Sequence, residues 1–201
     1  MENQKIEELV NFFEQKGPRF DLFYGTKKGT FVESPILDVY FGLKELIHRN
    51  LLKSNTLFID SGCGDGRILA IASILGLRAE GIEYTEEIFT TAKQYLKELF
   101  LKSIIPLTPK VVQGDILENE SYEKLNRRFS EIEVFYSYET CIEELSNKIA
   151  KESPVGTLFI HHSWNKETKL VEKLKKIESI PLKNGYQYFH IFKKANFNGD
   201  V

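Results

Sequence analysis

Residues 57–67 read LFIDSGCGDGR. A short apolar run ends on Asp60, glycines alternate at positions 62, 64 and 66, and an apolar helical pattern starts at Arg67. Glycine is needed where a ligand comes close to the backbone and where φ turns positive. Amides exposed at the start of the following helix favour an anionic or carboxylate-bearing ligand. A tight strand-to-helix turn that is glycine-rich by chance is the alternative. The strand before and the helix after are the context a ligand-binding loop requires.

On both sides of this stretch the chain has a regular grammar. Downstream, RAEGIE (78–83) predicts a second strand, and a long helix carries Ile88, Ala92, Tyr95, Leu96, Leu99 and Phe100 on one face until Pro106 and Pro109. KVVQGD (110–115) is the third strand, a polar helix falls within 119–129, and EVFYSY (133–138) is the fourth strand. Thr140 and Glu143 can form a capping box for the next helix, which Pro154 ends. GTLFIHH (156–162) is the fifth strand, and Asn165 caps a helix through about Lys176. IESIPL (177–182) and YQYFHIF (186–192) flank Lys183-Asn184-Gly185, a hairpin signal. Upstream, Ile6, Leu9, Val10 and Phe13 give an amphipathic helix ended by Gly17-Pro18, followed by an irregular stretch over 19–33. Ser34 can cap, and Pro35 begin, a helix whose face is Ile36, Val39, Tyr40, Leu43, Ile47 and Leu51. Five strands alternating with helices predict an α/β, doubly wound, mostly parallel sheet, with the hairpin adding an antiparallel strand at one edge.

The expected organisation is an N-terminal helical extension and lid over 1–53, a ligand-binding domain over 54–194 and a tail over 195–201. At 201 residues and 23.3 kDa the chain holds one ordinary domain and about fifty residues more. Those first residues are too aromatic for a solvated tail and too few for a second domain, so they are expected to cover the ligand and shape the acceptor entrance. Lys27 and Lys28, with Tyr24, Thr30 and Phe31, would belong to that lid. The charges, 27 Lys and Arg against 29 Asp and Glu, argue against a protein that coats nucleic acid. Two distant cysteines, Cys63 and Cys141, argue against a disulfide framework or structural zinc, and no metal is expected. With no long apolar run and a polar start, a cytoplasmic, membrane-free protein is expected. The oligomeric state is not legible.

Which ligand the loop holds follows from its departures. The third glycine comes one residue early for a dinucleotide fingerprint, and the Gly-Lys-Ser/Thr of a P-loop is absent. Asp60 would also repel a pyrophosphate. An acid there suits a ligand with a positive amino group, as S-adenosylmethionine has. Glu83, ending the second strand, can accept from both ribose hydroxyls. Asp115, after Gly114, can accept from the adenine amine. Three acids at the carboxyl ends of three successive strands carry more weight than any one of them.

At this point the sequence resembles the class I, seven-strand S-adenosylmethionine-dependent methyltransferases, over about residues 54–194. The likeness rests on DSGCGDGR (60–67), GIEY (81–84) and QGDI (113–116). It implies the last strand inserted antiparallel, Asp60, Gly62 and Gly64 around the methionine moiety, Glu83 with Tyr84 at the ribose, and Asp115 with Ile116 at the adenine. Cys63 would be a small side chain beside the cofactor. More narrowly, GCGDGRI and GIEY look like the archaeal and mitochondrial seven-strand protein lysine methyltransferases. Those carry an aromatic-Val-Pro-Ser/Thr segment where this chain has Phe31-Val32-Glu33-Ser34, so Glu33 stands in place of the preferred proline.

The acceptor is expected beside the cofactor, at the ends of the fourth and fifth strands, near Tyr136, Tyr138, Glu139 and His161. The Asn/Asp-Pro-Pro-Tyr/Phe sequence of amino-methylating DNA enzymes is absent there. For a lysine acceptor, the tyrosines would disfavour the ammonium and hold the methylated product by cation–π attraction, and Glu139 would orient the amine. For a hydroxyl acceptor, His161 or His162 would be the base, and only one of two adjacent strand residues can face the pocket. The expected function is S-adenosylmethionine-dependent methylation, with a protein lysine first among acceptors and a small-molecule amine, hydroxyl or carboxylate second. A non-catalytic cofactor-binding regulator and a nicotinamide dehydrogenase are the other classes.

Overall fold

The computed structural model describes residues 2–16, 24–26, 29–168 and 174–196. In chain order the elements are α1 (Glu2–Lys16), β1 (Tyr24–Thr26), β2 (Gly29–Phe31), α2 (Ile36–His48), β3 (Leu57–Ser61), α3 (Arg67–Ile74), β4 (Arg78–Glu83) and α4 (Glu86–Leu101). They continue as β5 (Lys110–Gln113), α5 (Asn119–Lys124), β6 (Val134–Tyr138), α6 (Ile142–Glu152), β7 (Leu158–Ser163), β8 (Leu174–Pro181) and β9 (Tyr188–Lys194). A short hairpin pairs β1 with β2, and the other seven strands form one sheet in the order β5-β4-β3-β6-β7-β9-β8.

β3 lies at the centre, parallel to β4 on one side and β6 on the other. All five of its residues are buried, which is why it reads as a continuous apolar run rather than an alternation. The chain leaves β3 toward β4 and β5 and later returns to β6 on the opposite side, so the carboxyl end of β3 is the switch point where such sheets bind ligands. Side chains alternate between two layers. Phe58, Tyr136 and Ile160 face α1 to α4, where Leu9, Leu43, Leu69 and Leu96 are buried. Ile59, Phe135 and Phe159 face α5 and α6, where Tyr122, Leu145 and Ile149 are buried.

The N-terminal segment is packed onto this body. Phe12 and Phe13 of α1 meet Tyr95 edge-on at 5.5 and 5.7 Å. Lys16 donates to Glu98 of α4 at 2.6 Å, and the Tyr40 hydroxyl of α2 donates to Glu2 at 2.6 Å. The expected stop of α1 at Gly17-Pro18, the lid residues Lys27 and Lys28, and the end of the tail lie outside the described residues.

Several local expectations are corrected. Asn165 does not start a helix running to Lys176: Leu174, Lys175 and Lys176 are already in β8, paired with Lys194, Lys193 and Phe192, and residues 169–173 lie outside the described ones. The antiparallel strand is not at the edge. β9 is inserted between β7 and β8, antiparallel to both, and β8 takes the edge, where a proline such as Pro181 is tolerated. This is the arrangement the family resemblance implies. Pro35 rather than Ser34 is the N-cap of α2, and neither it nor the α6 N-cap has a side-chain cap bond. Thr140 donates back to the Tyr138 carbonyl at 3.1 Å, so the expected box with Glu143 does not form. The 119–129 helix is only α5, followed by a 3-10 turn at Phe129–Glu131. Phe100 leaves the buried face of α4 and is exposed.

Candidate active site

One cavity gathers most of the residues singled out in the sequence: Phe31, Asp60, Gly62, Cys63, Gly64, Glu83, Tyr84, Asp115, Ile116, Tyr136, Tyr138 and Glu139 all line it. The loop from β3 into α3 turns on positive φ at Gly62 (+85°), Gly64 (+55°) and Gly66 (+85°), a conformation that L side chains adopt only with strain. A Cβ on Gly64 would also stand 2.5 Å from the Phe31 ring, so Phe31 packs directly against the loop. The Tyr24 backbone lies in β1, and its side chain lies outside the described residues.

Asp60, one residue before the end of β3, is buried, and its Oδ2 has no hydrogen-bond partner among the described residues. Burial, and then the charges of Glu83 and Asp65, push its pKa well above the usual carboxylate range. Glu83 is better satisfied: its oxygens accept from the Gly64 amide at 3.0 Å and the Thr85 amide at 2.8 Å. Burial still raises its pKa against those bonds. Asp115 accepts from the Leu117 amide at 3.0 Å, which holds the turn after β5 against Ile116. The Cys63 thiol is pushed up by burial and then by the Asp60 charge, so it is not a thiolate nucleophile.

These residues fit S-adenosylmethionine. A buried acid without a partner is what an amino group of positive charge relieves. Glu83 keeps lone pairs for hydroxyls, since each carboxylate oxygen can accept twice. Asp115 can accept an exocyclic amine, and Ile88 and Ile116 supply apolar walls for a flat ring.

Arg67 was not singled out in the sequence, yet it joins the segment at Glu33 and Ser34 to the loop. It is 8% exposed and grips Asp65 with Nε at 3.0 Å and Nη2 at 2.6 Å. The same guanidinium reaches Glu33 at 3.1 Å and the Ser34 carbonyl at 3.2 Å, and lies 4.9 Å from the Phe13 ring centre. Glu33, the residue that departs from the family pattern, thus has a partner of its own. The proximity of Asp65 and Arg67 within GDGR was the only local signal.

At the acceptor end, β6 and β7 set the side chains. Glu139 follows β6 with φ +51°, and Cys141 with φ +45°, two non-glycine residues in a left-handed conformation that costs roughly 1–2 kcal/mol each. Such outliers cluster at functional sites. Burial works against the Glu139 charge, but the nearby His161 imidazole and hydrogen bonds from the Ser163 hydroxyl (2.5 Å) and the Trp164 amide (3.1 Å) outweigh it and hold its pKa at about 2. Tyr138 and the half-exposed Trp164, their rings 6.4 Å apart, stand beside it.

The expected roles of the histidines do not survive this geometry. His161 does not line the cavity; it is buried behind Glu139, with Nε2 3.5 Å from the carboxylate. His162 turns to the other face, stacked on Tyr138 at 4.2 Å, with Nδ1 2.7 Å from the Tyr136 hydroxyl and Nε2 3.3 Å from Gln187. Burial lowers its pKa to about 3. Tyr136 is fully buried and forms the floor of the cavity rather than a reactive group. Burial, with the Asp60 charge, pushes its pKa far up. His190 is buried too, bonded to Ser179 and the Asn165 carbonyl.

Among solved structures the chain is similar to an RNA methyltransferase from Salinibacter ruber in complex with S-adenosylhomocysteine. The two are 19% identical with a TM-score of 0.60, over 85% of this chain and 98% of that one. It is also similar to the magnesium protoporphyrin IX methyltransferase of Synechocystis PCC 6803 with bound S-adenosylmethionine, at 15% identity and a TM-score of 0.55, over 79% and 77% of the two chains. Its fold is that of the class I methyltransferases. By sequence it is 26% identical over 136 residues to a histone-lysine N-methyltransferase of Dictyostelium discoideum specific for H3 lysine-79, covering 60% of this chain but only 7% of that protein. No family model matches. At these identities the likenesses to solved structures show the fold, and the chain spans only a small part of the curated relative it matches. Those proteins act on RNA, a magnesium porphyrin and a histone lysine, and the likeness of the two solved structures to this chain is one of fold.

Proposed function

We propose that this protein is an S-adenosylmethionine-dependent methyltransferase whose acceptor is the side-chain amine of a protein lysine. The observation that carries the reading is one end of the cavity, where the Tyr138 and Trp164 rings, 6.4 Å apart, line it together with a Glu139 carboxylate held at about 2. A hydroxyl acceptor would need a base, and neither His161 nor His162 is aimed into the cavity. When bound, the cofactor supplies a methyl group on a sulfonium, a poorly hydrated cation. Asp60, Glu83 and Asp115 hold and orient it, and Phe31 over Gly64 helps exclude water, so that alignment does most of the work.

Glu139 attracts the arriving ammonium. With a pKa this low it is too weak a base to keep the proton, which leaves to solvent at the half-exposed carboxylate. Tyr138 and Trp164 favour the neutral amine by desolvation and then hold the methylated cation by their ring faces.

Transfer of tritiated methyl groups from S-adenosylmethionine into a cell extract, sorted into protein, RNA and small molecules, tests this. Label in protein, recovered as methyl-lysine after hydrolysis, is the expected result. Label confined to RNA or to small molecules overturns the acceptor. Tight cofactor binding without any transfer would point to a regulatory, non-catalytic protein.

A further inference from the structure

Beside Trp164 a second groove lies between the start of α2 and the turn joining β8 to β9. Ser34, Arg67 and Trp164 line both spaces, so the two adjoin. Leu37, Trp164 and Tyr186 face this groove with exposures of 48%, 50% and 62%. Single exposed apolar residues are ordinary, but three around one groove mark a contact surface. The Trp164 and Tyr186 rings lie parallel, within 2° and 6.2 Å apart.

The charge of the groove is one-sided. Glu14, Glu33 and Asp38 line it, and Arg67, the one cation among its described lining residues, is already held by Asp65 and Glu33. The Asp38 carboxylate is fixed by the amide of Asn184 at 3.0 Å and its side chain at 3.1 Å. Asn184 also donates to Gln187, which donates to the Tyr138 hydroxyl at 2.8 Å, so the groove wall is tied by hydrogen bonds to the acceptor end.

We infer that this groove binds the polypeptide flanking the acceptor lysine and selects segments that carry a second cationic side chain, arginine or lysine. The inference rests on the lysine reading above and adds a recognition site to it. Flat rings stacked at the rim suit the face of a guanidinium and the apolar stem that carries it. The acids complement its charge and would repel a phosphate backbone.

The probes are acetylated and amidated nonapeptides with a central lysine among alanines, unmodified or with one arginine walked through the flanking positions. Trp164 is the only tryptophan in the chain, so its fluorescence reports groove occupancy whether or not transfer occurs. At least one arginine position should bind about tenfold more tightly than the all-alanine flank, with the gain shrinking as salt rises. Glu14→Gln and, separately, Asp38→Asn should each shrink that ratio, the first without touching the Asn184 turn. Equal binding of all peptides, with methyl transfer still observed, overturns the groove and leaves the lysine acceptor standing. Arginine-dependent binding without transfer to any peptide upholds the groove and overturns the lysine acceptor.

Discussion

Asp60 is a buried carboxyl next to Glu83 and Asp65, held toward its neutral form by burial and by their charges. A folded-state pKa raised above the unfolded one means that stability is lost as pH rises past the ordinary carboxylate range. Asp60→Asn removes the cost of holding this acid protonated against pH 7 and is therefore expected to stabilise the ligand-free protein there by on the order of 1 kcal/mol. At roughly 2–4 °C per kcal/mol for a chain of this size, a thermal melt will show it. The same variant should lose most of its affinity for S-adenosylmethionine by calorimetry, a trade of stability for function. Glu83→Ala should weaken that binding by about 1–3 kcal/mol, and an unchanged affinity would remove Glu83 from the ribose site. Both acids were legible in the sequence because each closes an apolar strand run, Asp60 one residue before the end of β3 and Glu83 at the end of β4, and such runs are set by local pattern. Arg67 was not, because Glu33 lies 34 residues away and Phe13 is farther still. A side chain whose partners come from another segment leaves no periodic trace.

The element scale holds the clamp between the N-terminal segment and the start of α3. Arg67→Ala would leave Asp65 buried without its cation, and breaking such a pair by removing one partner costs about 3–5 kcal/mol. Glu33→Ala removes a half-exposed acid from the same guanidinium and is expected to cost less than about 1 kcal/mol. Urea unfolding of both variants checks that order, and equal losses would show that the contact with Asp65 is not the dominant one. The elements also show where sequence reading stops. β3, β4 and α4 follow their patterns because the sheet and its layers bury what the pattern marks as apolar. β8 carries the strand expected over 177–182 but starts earlier, at Leu174, and its register shifts between Lys176 and Glu178, so side-chain alternation is broken where that start would be read. Ladder bonds to β9 then override the helical spacing after Asn165. On β7 the adjacent pair His161 and His162 was legible as facing opposite ways. Which of them met the cavity depended on the depth of Glu139 and Tyr138, and neither does.

For the whole molecule, acid stability follows from its buried histidine. The unfolded chain takes up a proton at His162 near pH 6.5, whereas in the fold burial delays this to about 3. Stability from this residue is therefore intact above pH 6.5 and lost as pH falls toward 3, by up to about 1.4 kcal/mol per pH unit. His162→Gln should flatten that limb in urea titrations between pH 7 and 4.5; an unchanged slope would mean His162 is protonated in the fold. Glu139, held at about 2, adds a second loss below about pH 4.5. The sheet order has its own consequence for synthesis. β9 is the last of the seven strands to emerge, yet it fills an interior position, bonded to β7 on one side and β8 on the other. Until residues 188–194 are available, β7 presents an open edge beside a finished cofactor half, and β8 has nothing to pair with. A nascent or prematurely stopped chain is thus a half-closed sheet with an adhesive border, and edge-to-edge aggregation is most favoured at this stage.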